Sequence, residues 1–236
     1  MRLVTSSSAA VAGALPLILL GAGGHAKVVL ALARALGRDV IGVCDPTLAR
    51  AGTAQWRDLP VLGDDDALAS WSPAQVELAN GIGQLPTGKH VRKLVHERHA
   101  EQGFHFPVLV HPAAIVDPSA TIGSGAQIMA GAVLQADVTV GVSSIVNTGA
   151  RIDHDCIIGR HAHVAPGAVL CGGVRVGDQA FLGAGCTVLP LVAIGMRCLV
   201  AAGAVLARGL DDEASFLPHR ANCAVAAGST PGGQTS

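Results

Sequence analysis

One periodic pattern constrains the fold of this 236-residue chain more than any other feature: an aliphatic residue recurs at every sixth position between residues 116 and 206. All sixteen positions are Val, Ile or Leu. They are Val116, Ile122, Ile128, Leu134, Val140, Val146, Ile152, Ile158, Val164, Leu170, Val176, Leu182, Val188, Ile194, Val200 and Leu206. An internal repeat of this kind indicates a fold built from stacked, similar units.

A second pattern accompanies the first, because the residue two positions earlier in each unit is small or medium-sized. These residues are Ala114, Ala120, Ala126, Ala132, Val138, Ser144, Ala150, Cys156, Ala162, Ala168, Val174, Ala180, Cys186, Val192, Cys198 and Ala204. In a strand, residues two apart point to the same face, so each unit directs both side chains inward. The pattern predicts a narrow core, consistent with a chain that contains no Tyr, four Phe and two Trp.

Glycine adds a period of eighteen residues, directly after every third aliphatic position. Glycine suits a recurring corner that requires an unusual φ or a close approach of two backbones. Three six-residue units then form one coil, which predicts a triangular parallel β-helix of about five coils. The residues are Gly123, Gly141, Gly159, Gly177 and Gly195.

The segment before the repeat, PLILLGAGGHAKVVLALARALGRDVIGVCDP, indicates a strand, a Gly-rich turn, a helix and a second strand. Asp45 ends the second strand about twenty residues after the turn, where an acidic residue meets a ribose hydroxyl in dinucleotide-binding units. GAGGHA is not the full GxGxxG motif, because Ala26 occupies the last position. The arrangement favours nucleotide binding by a small α/β sheet. The alternative is a tight turn in which the glycines serve packing alone.

Charge and cysteine content exclude several classes of protein. The net charge is −1 and only 14% of residues are charged, which argues against a nucleic acid partner. The six cysteines form no CxxC pair or dense disulfide framework, which indicates a reducing cytoplasm. The start resembles a signal peptide, but Pro16–Leu20 is better explained as a buried strand, and no stretch is suited to span a bilayer.

Three stretches together resemble one family. LLGAGGHAKVV, the connector HPAAIVDPSATIG and the repeat segment NTGARIDHDCIIGRHAHVAPGAVLCGGVRVG look like the bacterial nucleotide-sugar and sialic-acid acetyltransferases, the NeuD- and PglD-like family. The resemblance covers about residues 16–209. It implies a small Rossmann-like α/β domain followed by a left-handed parallel β-helix, the fold of the hexapeptide-repeat acyltransferases.

The resemblance also implies roles for residues that match the family's motifs. His154 would be the general base, and Asp155 would raise its basicity. The residues implied to contact acetyl-CoA are His163, the backbone of Gly172, which would face the thioester carbonyl, and Ala184 and Ala202. Those implied to hold the nucleotide of the sugar are Gly21, Gly23, Gly24, His25 and Asp45, with the backbone of His25 expected to matter more than its ring. No metal is expected.

General chemistry agrees with these roles. Attack on a thioester requires a base that removes a proton from the acceptor, and histidine titrates close to neutrality. A carboxylate on the other ring nitrogen fixes the tautomer, and an N–H aimed at the oxyanion completes the site without a covalent intermediate. In the repeat register, His154 and His163 lie outside the prism near its edges. For His161, a solvated surface position and a functional role fit equally well.

We predict acetyl-CoA-dependent transfer of an acetyl group to the amino group of a nucleotide-linked deoxyamino sugar, in a homotrimer with sites between adjacent helices. O-acetylation of a sialic acid-like sugar uses the same base and remains open. A metalloenzyme of the carbonic anhydrase type, with zinc on His154, His161 and His163, is less favoured. A non-catalytic nucleotide-sensing scaffold is a further alternative.

The predicted organisation has four parts: a flexible N-terminus (1–13), the nucleotide-sugar-binding domain (14–107), the acetyltransferase β-helix (108–209) and a partly disordered extension (210–236). Two segments depart from the family. FLPHRAN (216–222) replaces a common Gly-x-Pro-Ala segment, and GIGQLP (81–86) replaces IGNN. These departures leave open the identity of the sugar and the nucleobase.

Overall fold

The computed structural model describes residues 14–84 and 90–217. Its N-terminal part is a five-stranded sheet with the order β3-β4-β2-β1-β5, in which β3 and β4 are antiparallel and the other neighbours are parallel. The strands are β1 (Leu17–Leu20), β2 (Val40–Cys44), β3 (Gln55–Trp56), β4 (Leu59–Gly63) and β5 (Glu77–Asn80). The helices are α1 (Gly24–Ala35), α2 (Pro46–Arg50) and α3 (Val91–Glu101), with a 3₁₀ helix at Asp65–Ser70.

The helices of this domain follow the sequence signals closely. The sequence predicts a helix from Lys27 to Leu36, and α1 begins three residues earlier. It buries Ala26, Val29, Leu30, Leu32 and Ala33, the one-sided spacing that an amphipathic helix requires. Helix α2 was not predicted, although its signal is visible: Asp45 is the N-cap and a proline follows it. The sequence also predicts a helix from about Lys89 to Gln102; Lys89 lies outside the described residues, and α3 spans Val91–Glu101.

The rest of the described chain is a three-sided parallel β-helix. Face 1 contains β6 (Leu109–Val110), β9 (Gln127–Ile128), β12 (Ile145–Val146), β15 (His163–Val164), β18 (Phe181–Leu182), β21 (Leu199–Val200) and β23 (Ser215–Phe216). Face 2 contains β7 (Ile115–Val116), β10 (Val133–Leu134), β13 (Arg151–Ile152), β16 (Val169–Leu170), β19 (Thr187–Val188) and β22 (Val205–Leu206). Face 3 contains β8 (Thr121–Ile122), β11 (Thr139–Val140), β14 (Ile157–Ile158), β17 (Arg175–Val176) and β20 (Ala193–Ile194).

Short turns join these faces at three corners. The first corner, between faces 1 and 2, includes residues 147–150, 165–168, 183–186 and 201–204. The second corner, between faces 2 and 3, includes residues 135–138, 153–156, 171–174 and 189–192. The third corner, between faces 3 and 1, includes residues 141–144, 159–162 and 177–180. In a triangular prism, the second corner is the edge opposite face 1.

The predicted inward register is confirmed. Its aliphatic and small residues from Ala126 to Leu206 form one continuous buried cluster, and those of the first coil pack against it. The polar member, Ser144, is satisfied inside the core because its Oγ donates to the Gly159 carbonyl (2.7 Å) and accepts from the Ala162 N–H (3.1 Å). Buried polar groups require such partners.

The eighteen-residue glycine period is explained by close backbone approach. A Cβ on Gly141 would lie 2.6 Å from the Gly159 carbonyl carbon in the next coil. Positive φ angles occur instead at other corner residues, including Asp155 (φ 60°) and His161 (φ 55°). The sequence left two reasons for these glycines, an unusual φ and a close approach of two backbones. The structure shows that the second reason applies.

The N-terminal domain packs against the first four strands of face 1 of the β-helix. Its largest core cluster joins Leu17, Leu19 and Val29 to Met129 and Ile145, which project outward from the coil. The coil continues to Ser215–Phe216, within the segment assigned from the sequence to the C-terminal extension. Residues 1–13 and 218–236, predicted to be flexible or partly disordered, lie outside the described residues, as does most of FLPHRAN.

Candidate active site

A cleft opens at the carboxyl end of β1, where the sheet order changes direction between β2 and β5. This topological switch point is the usual ligand site of open α/β sheets. The cleft has a volume of about 740 Å³. Its lining, which defines the glycine cleft, is Gly21, Ala22, Gly23, Gly24, His25, Val28, Asp45, Gly81, Ile82, Gly83, Gln84, Asn147, Thr148, His163 and Pro166. The five residues expected to hold a nucleotide therefore meet His163 in one place.

Asp45 organises the glycine turn through its carboxylate. One oxygen accepts from the Thr47 N–H (2.8 Å) and the Leu48 N–H (3.0 Å), which caps α2. The other accepts from the Ala22 N–H (2.9 Å) and so ties the turn to the end of β2. These contacts position the turn, and the predicted contact of Asp45 with a ribose stays a prediction.

The side chain of His25 links the two domains. Its Nε2 lies 2.9 Å from Gln127 Oε1 on face 1, and Gln127 Nε2 donates to the Asn80 carbonyl at the end of β5 (2.8 Å). Burial, with a contribution from Arg92, lowers the pKa of His25 to about 4. The ring is therefore neutral near pH 7, and it contributes a structural contact beyond the backbone role expected from the sequence.

Arg92 is a residue that the sequence reasoning missed. It is buried near the start of α3 and donates to the carbonyls of Asn80 (2.9 Å), Ile82 (2.8 Å) and Ser143 (3.3 Å). It thereby fastens the Asn80–Ile82 wall of the glycine cleft to the β-helix. An arginine in a polar helix gives no sign of burial, so only the docking of the domains reveals this role.

His163 lies outside the coil on face 1, but the N-terminal domain covers it to 7% exposure. Its Nε2 is 3.2 Å from Asn147 Nδ2, and its ring meets that of Phe181 edge-on. Burial, followed by the charges of His25 and Arg92, lowers the pKa of His163 to about 3. This side chain is a neutral hydrogen-bonding group.

His161 is not a solvated surface residue, because α3 covers it to 4% exposure. Its ring lies edge-on to that of His96, with centroids 5.5 Å apart. Burial lowers the pKa of His161 to about 4, and Glu97 Oε1 is 3.7 Å from its Nε2, so the pair is neither a hydrogen bond nor an ion pair near pH 7. Of the two readings that the sequence left open, solvation is wrong because the helix docks on this corner.

A second cleft, of about 770 Å³, lies at the second corner, on the opposite edge of the prism from face 1. It is defined here as the His154 cleft. Its lining is Asp153, His154, Asp155, Cys171, Gly172, Gly173, Arg175, Pro190 and Leu191. Three of the predicted site residues, His154, Asp155 and Gly172, therefore come together.

His154 and Asp155 form a hydrogen-bonded pair in this cleft. His154 Nδ1 lies 2.7 Å from Asp155 Oδ2, while Asp153 accepts the His154 backbone N–H at 2.9 Å. The hydrogen bond to Asp155, followed by the charge of Asp153, raises the pKa of His154. The ring is 61% exposed. Because the carboxylate occupies Nδ1, Nε2 is left to accept a proton from a substrate.

The ring of His154 rests on Gly172 in the next coil. A Cβ on Gly172 would lie 2.6 Å from both Cε1 and Nε2 of His154, so only glycine leaves room for the ring. Within residues 14–84 and 90–217, no backbone or side-chain acceptor takes the Gly172 N–H. His154 Nε2, the ring nitrogen that Asp155 does not occupy, therefore lies against the backbone of Gly172.

Ala184 and Ala202 lie at the first corner, away from His154. They occupy adjacent coils, and the Ala184 carbonyl accepts from the Gly203 N–H (2.8 Å). The same corner carries Thr148 and Pro166 of the glycine cleft. Within this chain, the residues predicted to act together are thus divided between two corners of the prism that are separated by face 2.

The three histidines of the metal hypothesis do not converge in this protomer. His154 is at the second corner, His161 at the third and His163 on face 1. Among the described residues, no group of three or more His, Cys, Asp or Glu side chains is arranged to hold a metal ion. No helix in the described part of the chain is long and apolar enough to cross a membrane.

Comparison with protein families identifies the N-terminal domain. Residues 16–98 match the family described as the PglD N-terminal domain. No curated protein sequence matches the chain significantly.

Solved structures match over both domains. A mutant of perosamine N-acetyltransferase from Caulobacter crescentus, in complex with CoA and GDP-perosamine, is 37% identical, with 85% of this chain and 92% of that chain covered and a TM-score of 0.78. The acetyltransferase domain of PglB from Neisseria gonorrhoeae, in complex with acetyl coenzyme A, is 36% identical, with 86% and 96% covered and a TM-score of 0.80. WeeI from Acinetobacter baumannii shares the fold at 20% identity, with 85% and 95% covered and a TM-score of 0.76.

Proposed function

Because the chain belongs to the NeuD- and PglD-like sugar acetyltransferases and is an acetyl-CoA-dependent acyltransferase with their left-handed β-helix, we propose that it acetylates the amino group of a nucleotide-linked deoxyamino sugar. The glycine cleft supports a nucleotide-bearing substrate, since Gly-rich turns at a switch point are suited to phosphates. The relative from Caulobacter crescentus, crystallised with GDP-perosamine, supports an amino sugar.

In the proposed reaction, His154 is the general base. The amine of the sugar attacks the thioester carbonyl carbon while His154 Nε2 takes a proton from it, and Asp155 stabilises the resulting imidazolium. The observation that carries this assignment is the 2.7 Å contact between His154 Nδ1 and Asp155 Oδ2. Because Asp155 occupies Nδ1 of His154, the proton of the amine can be accepted at Nε2.

The Gly172 N–H is proposed to stabilise the tetrahedral intermediate by donating to its oxyanion. Collapse of that intermediate breaks the carbon–sulfur bond, and the CoA thiolate takes the proton from His154. The products are the N-acetylated sugar and free CoA. Support comes from the contact between the His154 ring and Gly172, because base and donor must act on the same carbonyl.

We propose a homotrimer with active sites between protomers. A substrate held in the glycine cleft on face 1 is on the opposite side of the prism from His154 of the same chain. A closed ring of three, in which the second corner of one protomer meets the first corner and glycine cleft of its neighbour, would unite the two halves with one type of contact. His163, Ala184 and Ala202 would then lie along the coenzyme beside the partner's base.

The test is acetylation of a panel of acceptors by purified protein with acetyl-CoA: GDP-perosamine, UDP-linked 4-amino sugars and a free sialic acid. We expect turnover of a nucleotide-linked amine, and loss of it in His154→Asn with retained trimer and nucleotide affinity. General-base removal typically costs roughly 10²–10⁴-fold in rate. Near wild-type turnover by His154→Asn contradicts the mechanism.

O-acetylation of a sialic acid is the second candidate, because the same base can deprotonate a hydroxyl. Preferential turnover of the sialic acid in the panel would establish it. Stoichiometric zinc required for activity would instead favour the metalloenzyme, and nucleotide binding without any acyl transfer would favour the scaffold. We propose a cytoplasmic reaction, supported by the free thiols of the described cysteines.

A further inference from the structure

Leu191 has a backbone conformation that its residue type does not favour. Its φ is 62°, in the left-handed region, where the Cβ of a non-glycine residue crowds the backbone. The equivalent positions of the preceding coils hold Asp137 (φ 60°), Asp155 (φ 60°) and Gly173 (φ 70°), types that enter this region more readily. Leu191 is also 81% exposed, so burial does not offset its strain.

The side chain of Leu191 lies beside the proposed catalytic groups. Its Cδ2 is 2.6 Å from the position that a Cβ on Gly173 would occupy. The His154 ring occupies the equivalent position over Gly172. Gly172 and Gly173 therefore form a short platform on the surface of the coil. The His154 ring contacts it from the preceding coil, and the isobutyl group of Leu191 contacts it from the following coil.

We propose that Leu191 determines which acyl donor is used, by contacting the acyl group of the thioester and limiting its length. This inference rests on the proposed function. With the carbonyl oxygen at the Gly172 N–H and the acceptor on the side of His154, the acyl chain extends along the platform toward Leu191. An acetyl methyl group fits against the leucine carbons, whereas a longer chain collides with them. Residues held in sparsely populated backbone regions cluster at functional sites, and Leu191 combines such a backbone with a place beside His154.

The experiment compares acetyl-CoA, propionyl-CoA and butyryl-CoA with wild type, Leu191→Gly and Leu191→Asn, using GDP-perosamine as acceptor. Both substitutions suit the left-handed conformation, so the fold and thermal stability should be retained or improved. We expect the ratio of kcat/KM for propionyl-CoA to that for acetyl-CoA to rise at least tenfold in Leu191→Gly, since one methylene in an apolar pocket changes specificity by roughly 10–200-fold. Leu191→Met, which keeps the apolar bulk, should retain the wild-type ratio.

The matched control is Leu94→Asn, which removes a leucine that is 59% exposed on α3, away from the His154 cleft. It should leave donor preference unchanged. The affinity of each acyl-CoA, measured by calorimetry without acceptor, gives a second readout: Leu191→Gly should bind butyryl-CoA more tightly relative to acetyl-CoA than wild type does.

Two results would overturn the inference. One is an unchanged donor ratio, in turnover and in affinity, for a folded Leu191→Gly protein. The other is dissociation of the oligomer by the Leu191 variants with equal loss for all donors, which would make Leu191 an interface residue. If wild type acetylates no amino sugar, the proposed function fails by itself, and the donor affinities still decide the role of Leu191.

Discussion

The two clefts of this protein shift the pKa values of their histidines in opposite directions. In the glycine cleft, burial between the two domains lowers the pKa of His25 to about 4 and that of His163 to about 3. In the His154 cleft, the exposed ring of His154 is paired with Asp155, which raises its pKa. The same residue type is therefore a neutral hydrogen-bonding group on one side of the prism and a more basic, hydrated group on the other.

The difference follows from where the N-terminal domain docks. Its helices cover face 1 and the third corner, which removes water from His163 and His161. The second corner is the far edge, so His154 stays hydrated and its charge is governed by the nearest carboxylates. Substitutions on the two sides should therefore affect different quantities: rate at the second corner, and stability and substrate affinity at face 1.

After His154→Asn, the largest loss of activity is expected for Gly172→Ala. The added Cβ would lie 2.6 Å from the His154 ring and displace the base from the proposed oxyanion donor. We expect kcat to fall by about 10²–10³-fold, the range typical of a lost oxyanion contact. Steady-state kinetics provide the measurement. Gly52→Asn is the control, because the Cβ meets open space and asparagine tolerates the left-handed φ of 63°, so full activity should be kept.

Arg92→Met tests the other region. The substitution leaves the carbonyls of Ile82 and Ser143 without a donor, whereas the Asn80 carbonyl keeps Gln127 Nε2, and each unpaired buried group costs about 1–3 kcal/mol. We expect a loss of about 2–3 kcal/mol in the free energy of unfolding, measured with urea. The KM for the nucleotide sugar should rise more than kcat falls, and a purely catalytic defect would contradict this role.

Asp155→Asn should act on rate and on its pH dependence. Asn tolerates the left-handed backbone of this position, so the change removes charge with little strain. The pKa of His154 should fall toward its ordinary value, which moves the acidic limb of the pH–rate profile to lower pH. A weaker base should also lower the plateau at least about tenfold. An unshifted profile would show that Asp155 does not set the basicity of His154.

Acid should weaken the interface between the domains. Burial lowers the pKa of His96 and His161 to about 4, below the value of about 6.5 expected in an unfolded chain. The unfolded chain then binds more protons between about pH 6.5 and 4, so this stabilisation is complete above pH 6.5 and is lost as the pH falls. Urea unfolding of wild type and His96→Phe across this range provides the measurement.

Two controls sharpen the pH experiment. His96→Phe should give a flatter dependence than wild type, because one buried titrating group is gone. In wild type, His154 contributes to stability with the opposite pH dependence from His96. Its raised pKa stabilises the fold below pH 6.5, and this contribution is lost as the pH rises through the folded-state pKa. His154→Asn removes this contribution. A stability that increases on acidification of wild type would contradict the buried neutral histidines.

Local signals were sufficient for much of this architecture. The period of six identifies the inward residues between Ala114 and Leu206 because strand geometry alternates side chains. Asp45 with Pro46 contains the signal for α2 that was not used. Arg92 offered no such signal, since its partners are backbone carbonyls distant in sequence. The strain at Leu191 was equally hidden, because φ at a corner depends on the coil and not on the residue that occupies it.

What the sequence by itself determined is the repeat, its narrow core, the Gly-rich turn and the residues that match the acetyltransferase motifs, because these depend on spacing along the chain. Only the tertiary structure decided that His161 and His163 are buried, that His25 bridges the domains and that His154 lies on the edge opposite the glycine cleft. The physical reason is that burial and charge depend on which face of the prism the N-terminal domain covers, and no local period encodes that choice.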